Sequence, residues 1–287
     1  MQLEHDRRIR KQIAILDNNE IENLLRLSNR GIPITTILGN YKYILIPGWV
    51  YEEVCDSEFR SNFVQGLGNQ GFPIYVLYET DYTKVIPQEG KLLGLFQMAI
   101  SLYAQLRGQF KKIILKNKDP MDIEYLYSEW ITIIYDDWPF EGGTIPRSSG
   151  VVRVKKKNAG EISIAFLASL LKTQQIEKVD VTIFSGDADC RSCVEKITES
   201  LEKQRNFFMD EPFSVSYKNL DVIVKELYEE GRIDIDCVQD IIDNLRIERK
   251  MCYVEKKKDN SSELKTVFVN NVQYKDIVRD ENTKIIW

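Results

Sequence analysis

Histidine is all but missing: the 287-residue chain has one, His5, in a charged N-terminal segment. A Ser-His-Asp triad, a Cys-His dyad and a histidine-rich zinc site all need imidazoles that are not there. Hydrolytic chemistry would have to come from carboxylates. Cysteine is scarce too, and Cys55, Cys190, Cys193, Cys237 and Cys252 are odd in number and scattered. That usage fits reduced thiols better than a disulfide framework. Cys190 and Cys193 make a lone C-x-x-C without a second pair or a nearby histidine to complete a zinc site. A redox dithiol stays open there beside ordinary helix cysteines. No apolar run is long enough to span a membrane, and MQLEHDRRIRKQ has no signal-peptide core. A cytoplasmic location is expected. Positive charge is not in excess either, with 39 Lys and Arg against 44 Asp and Glu and a net charge of −5. Coating nucleic acid through bulk charge is therefore disfavoured, while a local basic patch stays open.

What is present is an ordinary globular composition, 43% hydrophobic and 29% charged, in a chain long enough to bury a core unaided. IAIL (13–16) is a short apolar run ending at Asp17, and NNEIENLLRLSNRG after it has the periodicity of a helix stopped by Gly31. YILI (43–46) ends at Pro47 and GWVYEEV follows as a helix start. Two strand-then-helix units point to an α/β layered fold. Further strands are expected at 72–78, 111–116 and 130–135, with one helix over 91–110 and a Gly/Pro/Ser loop over 142–150. After VVRVKKK comes a helix over 159–172 with Asn158 as its cap. VDVTIFS (179–185) is the clearest buried strand. GDADC leads from it into another helix. Helices at 219–230 and 236–248, broken at Gly231, precede a charged loop (256–263) and a TVFVNNV strand.

Four acids fall where a parallel α/β sheet builds sites, at the carboxyl ends of strands and the helix starts beside them. Asp17 ends the first strand, Glu53 lies in the helix after Pro47, Glu161 opens the helix after the basic run, and Asp187 follows the best strand. Asp189 is two residues further on. Taken singly, each reads as a turn former, a cap or a solvated helix residue. Held together they would repel, so they carry raised pKa values or bind a hard cation with oxygen ligands, Mg²⁺ or Mn²⁺.

The order of these acids resembles the PIN-domain nucleases. The resemblance is carried by IAILDNNEIENLL (13–25), IPGWVYEEV (46–54), NAGEISIAFLA (158–168) and VTIFSGDADC (181–190). It implies a three-layer α/β/α fold around a mainly parallel sheet, over 1–205, with an insertion at about 66–150 and a C-terminal helical or α+β extension at 206–287. The long stretch between Glu53 and Glu161 departs from compact members of that family. The resemblance implies metal-dependent hydrolysis of RNA phosphodiesters, leaving 5′-phosphate and 3′-hydroxyl ends. Asp17 and Asp187 would be direct metal ligands. Glu53 and Glu161 would complete the cluster with Asp189 as a fifth member, and Ser185 would orient a ligand from behind. The implied setting is a toxin of a toxin–antitoxin pair or a phage-defence effector, with an antitoxin or other protein inhibitor as partner and homo-oligomerisation open. Two alternatives remain, a catalytically silent RNA- or protein-binding module and a DNA-directed structure-specific nuclease.

A phosphate backbone needs cations near such acids. Arg153, Lys155, Lys156 and Lys157 immediately precede Glu161, and Arg191 follows the Asp187 turn. A solvated strand edge explains the basic run equally well. Arg107, Lys111, Lys112, Lys116 and Lys118 form a second patch, and Arg7, Arg8, Arg10 and Lys11 a third. Residues 119–146 are the reverse, acidic and aromatic with no Lys or Arg. They suit either a nucleic-acid mimic or a folded subdomain with an acidic outer face.

Overall fold

The computed structural model describes residues 11–85, 91–116, 127–146, 152–173, 179–203, 215–256 and 261–286. Their strands, in chain order, are β1 (Lys11–Leu16), β2 (Tyr43–Pro47), β3 (Ile74–Leu77), β4 (Glu141–Pro146), β5 (Val152–Lys156), β6 (Val179–Phe184), β7 (Val215–Lys218), β8 (Arg249–Lys256), β9 (Ser262–Val269) and β10 (Thr283–Ile285). The helices are α1 (Asn18–Ser28), α2 (Thr35–Leu38), α3 (Gly48–Val54), α4 (Glu58–Asn69), α5 (Tyr82–Val85), α6 (Lys91–Ala99), α7 (Ala104–Lys116), α8 (Tyr127–Asp136), α9 (Ala159–Thr173), α10 (Ala188–Lys203), α11 (Leu220–Glu229), α12 (Ile235–Asn244) and α13 (Asn271–Arg279).

A five-stranded parallel sheet in the order β3-β2-β1-β6-β7 lies between helices, a three-layer α/β/α arrangement as expected. Ile13–Leu16 and Val181–Phe184 are buried without alternation, because the central strands of a parallel sheet are covered on both faces. From β1 the chain builds outward to β2 and β3, and later returns to β1's other edge with β6. The carboxyl ends of β1 and β6 therefore flank the point where the strand order reverses, the place where open α/β sheets hold their sites.

The helix α9 is buried almost all round, from Ala159 to Leu170. It packs on α3, α6 and α10, which explains its small residues. Asn158 precedes it at φ 62°, with its carbonyl accepting from the Ile162 N–H. Among the described residues no helix is long and apolar enough to cross a membrane.

Several local expectations are corrected. Residues 130–135 are helical, inside α8, because Tyr127, Trp130, Ile131 and Ile134 are the buried positions and have helical spacing. Residues 111–116 also belong to a helix, α7, whose Leu106 and Phe110 enter the core. The single helix over 91–110 is two helices meeting at 100–103. Residues 142–146 are not loop but strand, paired with β5 past an irregularity where Gly143 takes φ 91°. The TVFVNNV strand stops at Val269, because Asn270 caps α13 with a reciprocal bond to Gln273. His5, Arg7, Arg8, Arg10, Lys118, residues 119–126, Ser148 to Gly150 and the loop at 257–260 lie outside the described residues.

The central sheet draws on both unusual parts of the chain. Its edge strand β3 comes from within 66–150, and its other edge strand β7 from within 206–287. The other described elements within 206–287 are α11–α13 and the antiparallel sheet β10-β8-β9, knit together by a buried ion pair between Arg246 and Asp221 at 3.0 Å.

Candidate functional site

Asp17 and Ser185 are neighbours because β1 and β6 pair in register, Leu16 beside Phe184. The Asp17 N–H donates to the Phe184 carbonyl at 2.9 Å, which carries the strand pairing one residue further. Asp17 is buried and caps α1. Its Oδ1 accepts from the Asn18 N–H at 2.7 Å and its Oδ2 from Ser185 Oγ at 2.8 Å. Ser185 Oγ in turn accepts from the Asp187 N–H at 3.1 Å. Asp187 Oδ1 accepts from the Asp189 N–H at 2.7 Å, which opens α10. One hydroxyl thus ties the carboxylate of β1 to the turn after β6. Asp189 itself is exposed.

Glu53 and Glu161 come from the packed pair α3 and α9. At their contact Gly160 leaves space that a side chain would fill: a Cβ there would stand 3.2 Å from Glu53 Oε1 and 3.4 Å from Val50 Cγ2. Both carboxylates are half-buried.

The electrostatics link all four acids. Burial pushes Asp17 up to about 6, against the bonds from Ser185 and Asn18, and the charge of Asp187 adds to the rise. Burial pushes Glu53 up to about 7, with Asp17 raising it further and Arg153 opposing. Burial pushes Glu161 up to about 8, and Asp17, Glu53 and Asp187 all contribute. Such a cluster stays partly protonated at neutral pH unless cations neutralise it. Its donors are all carboxylate oxygens, which suits a hard divalent cation. As the side chains lie, no group of three His, Cys, Asp or Glu among the described residues is arranged to hold a metal ion.

The basic residues are largely engaged within the protein. Arg153 forms a two-pronged pair with Asp56, with Nε at 2.8 Å from Oδ1. Lys156 donates to the Tyr135 carbonyl and lies 4.1 Å from the centre of that ring. Arg191 pairs with Glu195 at 2.6 Å. Lys155 and Lys157 are exposed, as are Arg107, Lys111 and Lys112 on α7. Of the acidic, aromatic stretch, Glu129, Asp136, Asp137 and Glu141 face solvent while Tyr127, Trp130 and Trp138 enter the core. That is a folded element with an acidic outer face. All five cysteines are free. Cys190 and Cys193 are buried, and burial pushes the Cys193 thiol up to about 11. They behave as core residues, not as a poised dithiol.

Glu20, Glu79 and Arg249 escape the sequence reading. Glu20 is buried three residues beyond Asp17, and burial pushes it up to about 7. In NNEIENLL it looks like any first-turn acid. Glu79 is buried at the start of α3, accepting from the Trp49 N–H at 3.1 Å and from Ser163 Oγ. Arg249 arrives from β8. Neither has a local signal, since tertiary packing alone brings them in.

No protein-family model, curated protein or solved structure matches the chain.

Proposed function

We propose that the chain is a Mg²⁺- or Mn²⁺-dependent endoribonuclease, in line with its resemblance to PIN-domain nucleases. The supporting observation is the convergence of Asp17, Glu53, Glu161 and Asp187 at the reversal point of a parallel sheet, where Asp187 raises Asp17, Asp17 raises Glu53, and all three raise Glu161 in affinity for protons. Asp17 and Asp187 are the proposed direct ligands, with Glu53, Glu161 and Asp189 completing the set. When bound, a divalent ion would activate water and stabilise the charge developing on the phosphate. Ser185 orients Asp17 through Oδ2 and fixes the Asp187 turn. Glu53 and Glu161 would have to be ionised to hold such a cation, since ligands bind in their deprotonated form. Lys155 and Lys157 are exposed to meet a phosphate backbone. The products expected are 5′-phosphate and 3′-hydroxyl ends. A toxin or defence role in the cytoplasm, held by a protein inhibitor, belongs to the same proposal.

The test is cleavage of labelled RNA, with single-stranded DNA in parallel. Asp17→Asn and Asp187→Asn should each abolish Mn²⁺-dependent cutting with the fold intact by circular dichroism. Full activity in EDTA would sink the mechanism, and preference for DNA would redirect it. The alternative is a silent binding module, for among the described residues no three His, Cys, Asp or Glu side chains are arranged to hold a metal ion as they lie. Calorimetry showing no divalent binding would decide for that reading.

A further inference from the structure

The turn that carries Asp187 is gripped from the C-terminal region. A methyl group on Gly186 would stand 3.0 Å from Arg249 Nη1 and 3.0 Å from Glu20 Oε1. Two side chains from distant parts of the chain, one on β8 and one on α1, therefore abut the backbone between Ser185 and Asp187. Arg249 is ion-paired with Asp221, whose Oδ2 lies 3.2 Å from its Nε without hydrogen-bond geometry between the two atoms. Asp221 is buried and is braced by Arg246, whose Nε donates to its Oδ1 at 3.0 Å. Arg246 is fixed in turn by the Val269 carbonyl at 3.1 Å and Asn271 Oδ1 at 2.7 Å.

Glu20 has the complementary arrangement. Its side chain is buried, Oε2 accepts from Asn23 Nδ2 at 3.1 Å, and Oε1 has no hydrogen-bond partner among the described residues. The nearby positive charge of Arg249 favours its ionised form, while Asp17 and Asp221 disfavour it. A buried carboxylate oxygen without a donor is costly unless a cation compensates it.

We propose that Arg249 is a positioning residue of the carboxylate site, clamping the Gly186–Asp187 turn against Glu20 so that Asp187 keeps its place beside Asp17. The region 206–287 then completes the site instead of merely extending the chain. The functional consequence rests on the nuclease reading; the clamp itself does not.

The full chain tests both separately. In Arg249→Met, amide hydrogen exchange over 185–189 should quicken at least tenfold while the amides of β1 and β2 stay as they were. Arg249→Lys, which keeps the charge, should recover part of that protection. Gly186→Ala approaches from the other side, leaves the Arg249–Asp221 pair in place, and should loosen the same five residues. It decides the matter if Arg249→Met fails to fold. Unchanged exchange over 185–189 in the folded variants would overturn the clamp. Calorimetry with Mn²⁺ alone reads the consequence, a roughly tenfold weaker binding in the same variants. Binding equal to the parent's would overturn the positioning role. No binding by the parent would overturn the nuclease reading, and the exchange result would still stand.

Discussion

Ser185 Oγ donates to Asp17 Oδ2 at 2.8 Å and accepts from the Asp187 N–H at 3.1 Å, so a single hydroxyl couples the two proposed principal ligands. Ser185→Ala removes both bonds and leaves a buried carboxylate oxygen and the Asp187 amide short of partners. The expected loss is about 1–3 kcal/mol of stability, the cost of a buried polar group left unsatisfied. Cleavage should fall further than stability does, because Asp17 and Asp187 lose their common reference. Ser185→Thr should keep most of both. Denaturant midpoints and single-turnover cleavage rates give the comparison.

The raised carboxyl groups give a pH dependence whose sign is unusual. Asp17, Glu53, Glu20, Glu79 and Glu161 all hold protons more tightly folded than unfolded, at about 6, 7, 7, 7 and 8 respectively. Between roughly pH 4 and pH 8 the folded state therefore binds more protons than the unfolded chain. Stability from these groups is fully present below their ordinary values and is lost as pH rises through the raised ones. In EDTA, the melting temperature should fall steadily between pH 5 and pH 8. Saturating Mn²⁺ should flatten that fall by supplying the positive charge the cluster lacks. A melting temperature that rises over this range in EDTA would contradict the account.

Gly160 decides how closely α9 approaches α3. In Gly160→Ala the better helix propensity of alanine, worth about 1 kcal/mol, competes with crowding of Glu53 Oε1 and Val50. The net change in stability should stay within about 2 kcal/mol. The effect on cleavage should be larger, since the atom displaced first belongs to a proposed ligand. Gly66→Ala in α4 is the control. A Cβ there meets nothing within 4 Å, so it should stabilise by about 0.5–1 kcal/mol and leave cleavage alone. Thermal melts and cleavage rates of the two variants should diverge in that way.

The parts of this site that could be read in advance are those where chain order and local chemistry agree. Asp17 and Ser185 each close an apolar run, with Asp187 two residues beyond the second, and a parallel sheet brings the ends of β1 and β6 together whatever lies between. Residues 130–135 show the opposite case. Thr132, Ile133 and Ile134 give the segment a β-branched composition, yet the core takes Tyr127, Trp130, Ile131 and Ile134 at helical spacing. Arg249 and Glu79 could not be foreseen. Each reaches the site through side-chain contacts between remote segments, and no periodicity encodes such contacts. Arg153 was legible as a basic residue beside the acids but not as the partner of Asp56, for the same reason.

Glu79 is the test of how the start of α3 is held. Its carboxylate occupies the space against Gly48, where a Cβ would stand 2.6 Å from Oε2, and it accepts from the Trp49 N–H and Ser163 Oγ. It thereby joins the first turn of α3 to α9, the two helices that carry Glu53 and Glu161. Glu79→Ala strands a buried amide and a buried hydroxyl, at about 1–3 kcal/mol for each group left without a partner. Glu79→Gln keeps an acceptor oxygen and resembles the protonated form that burial favours near pH 7. It should cost about 1 kcal/mol or less and leave cleavage near the parent rate. The informative comparison is pH. The contribution of Glu79 to the fall in stability between pH 5 and pH 8 should vanish in Glu79→Gln, leaving a shallower melting profile than the parent in EDTA. An unchanged slope would mean that Glu79 is already ionised in the folded protein, and that its bonds to Trp49 and Ser163 outweigh its burial.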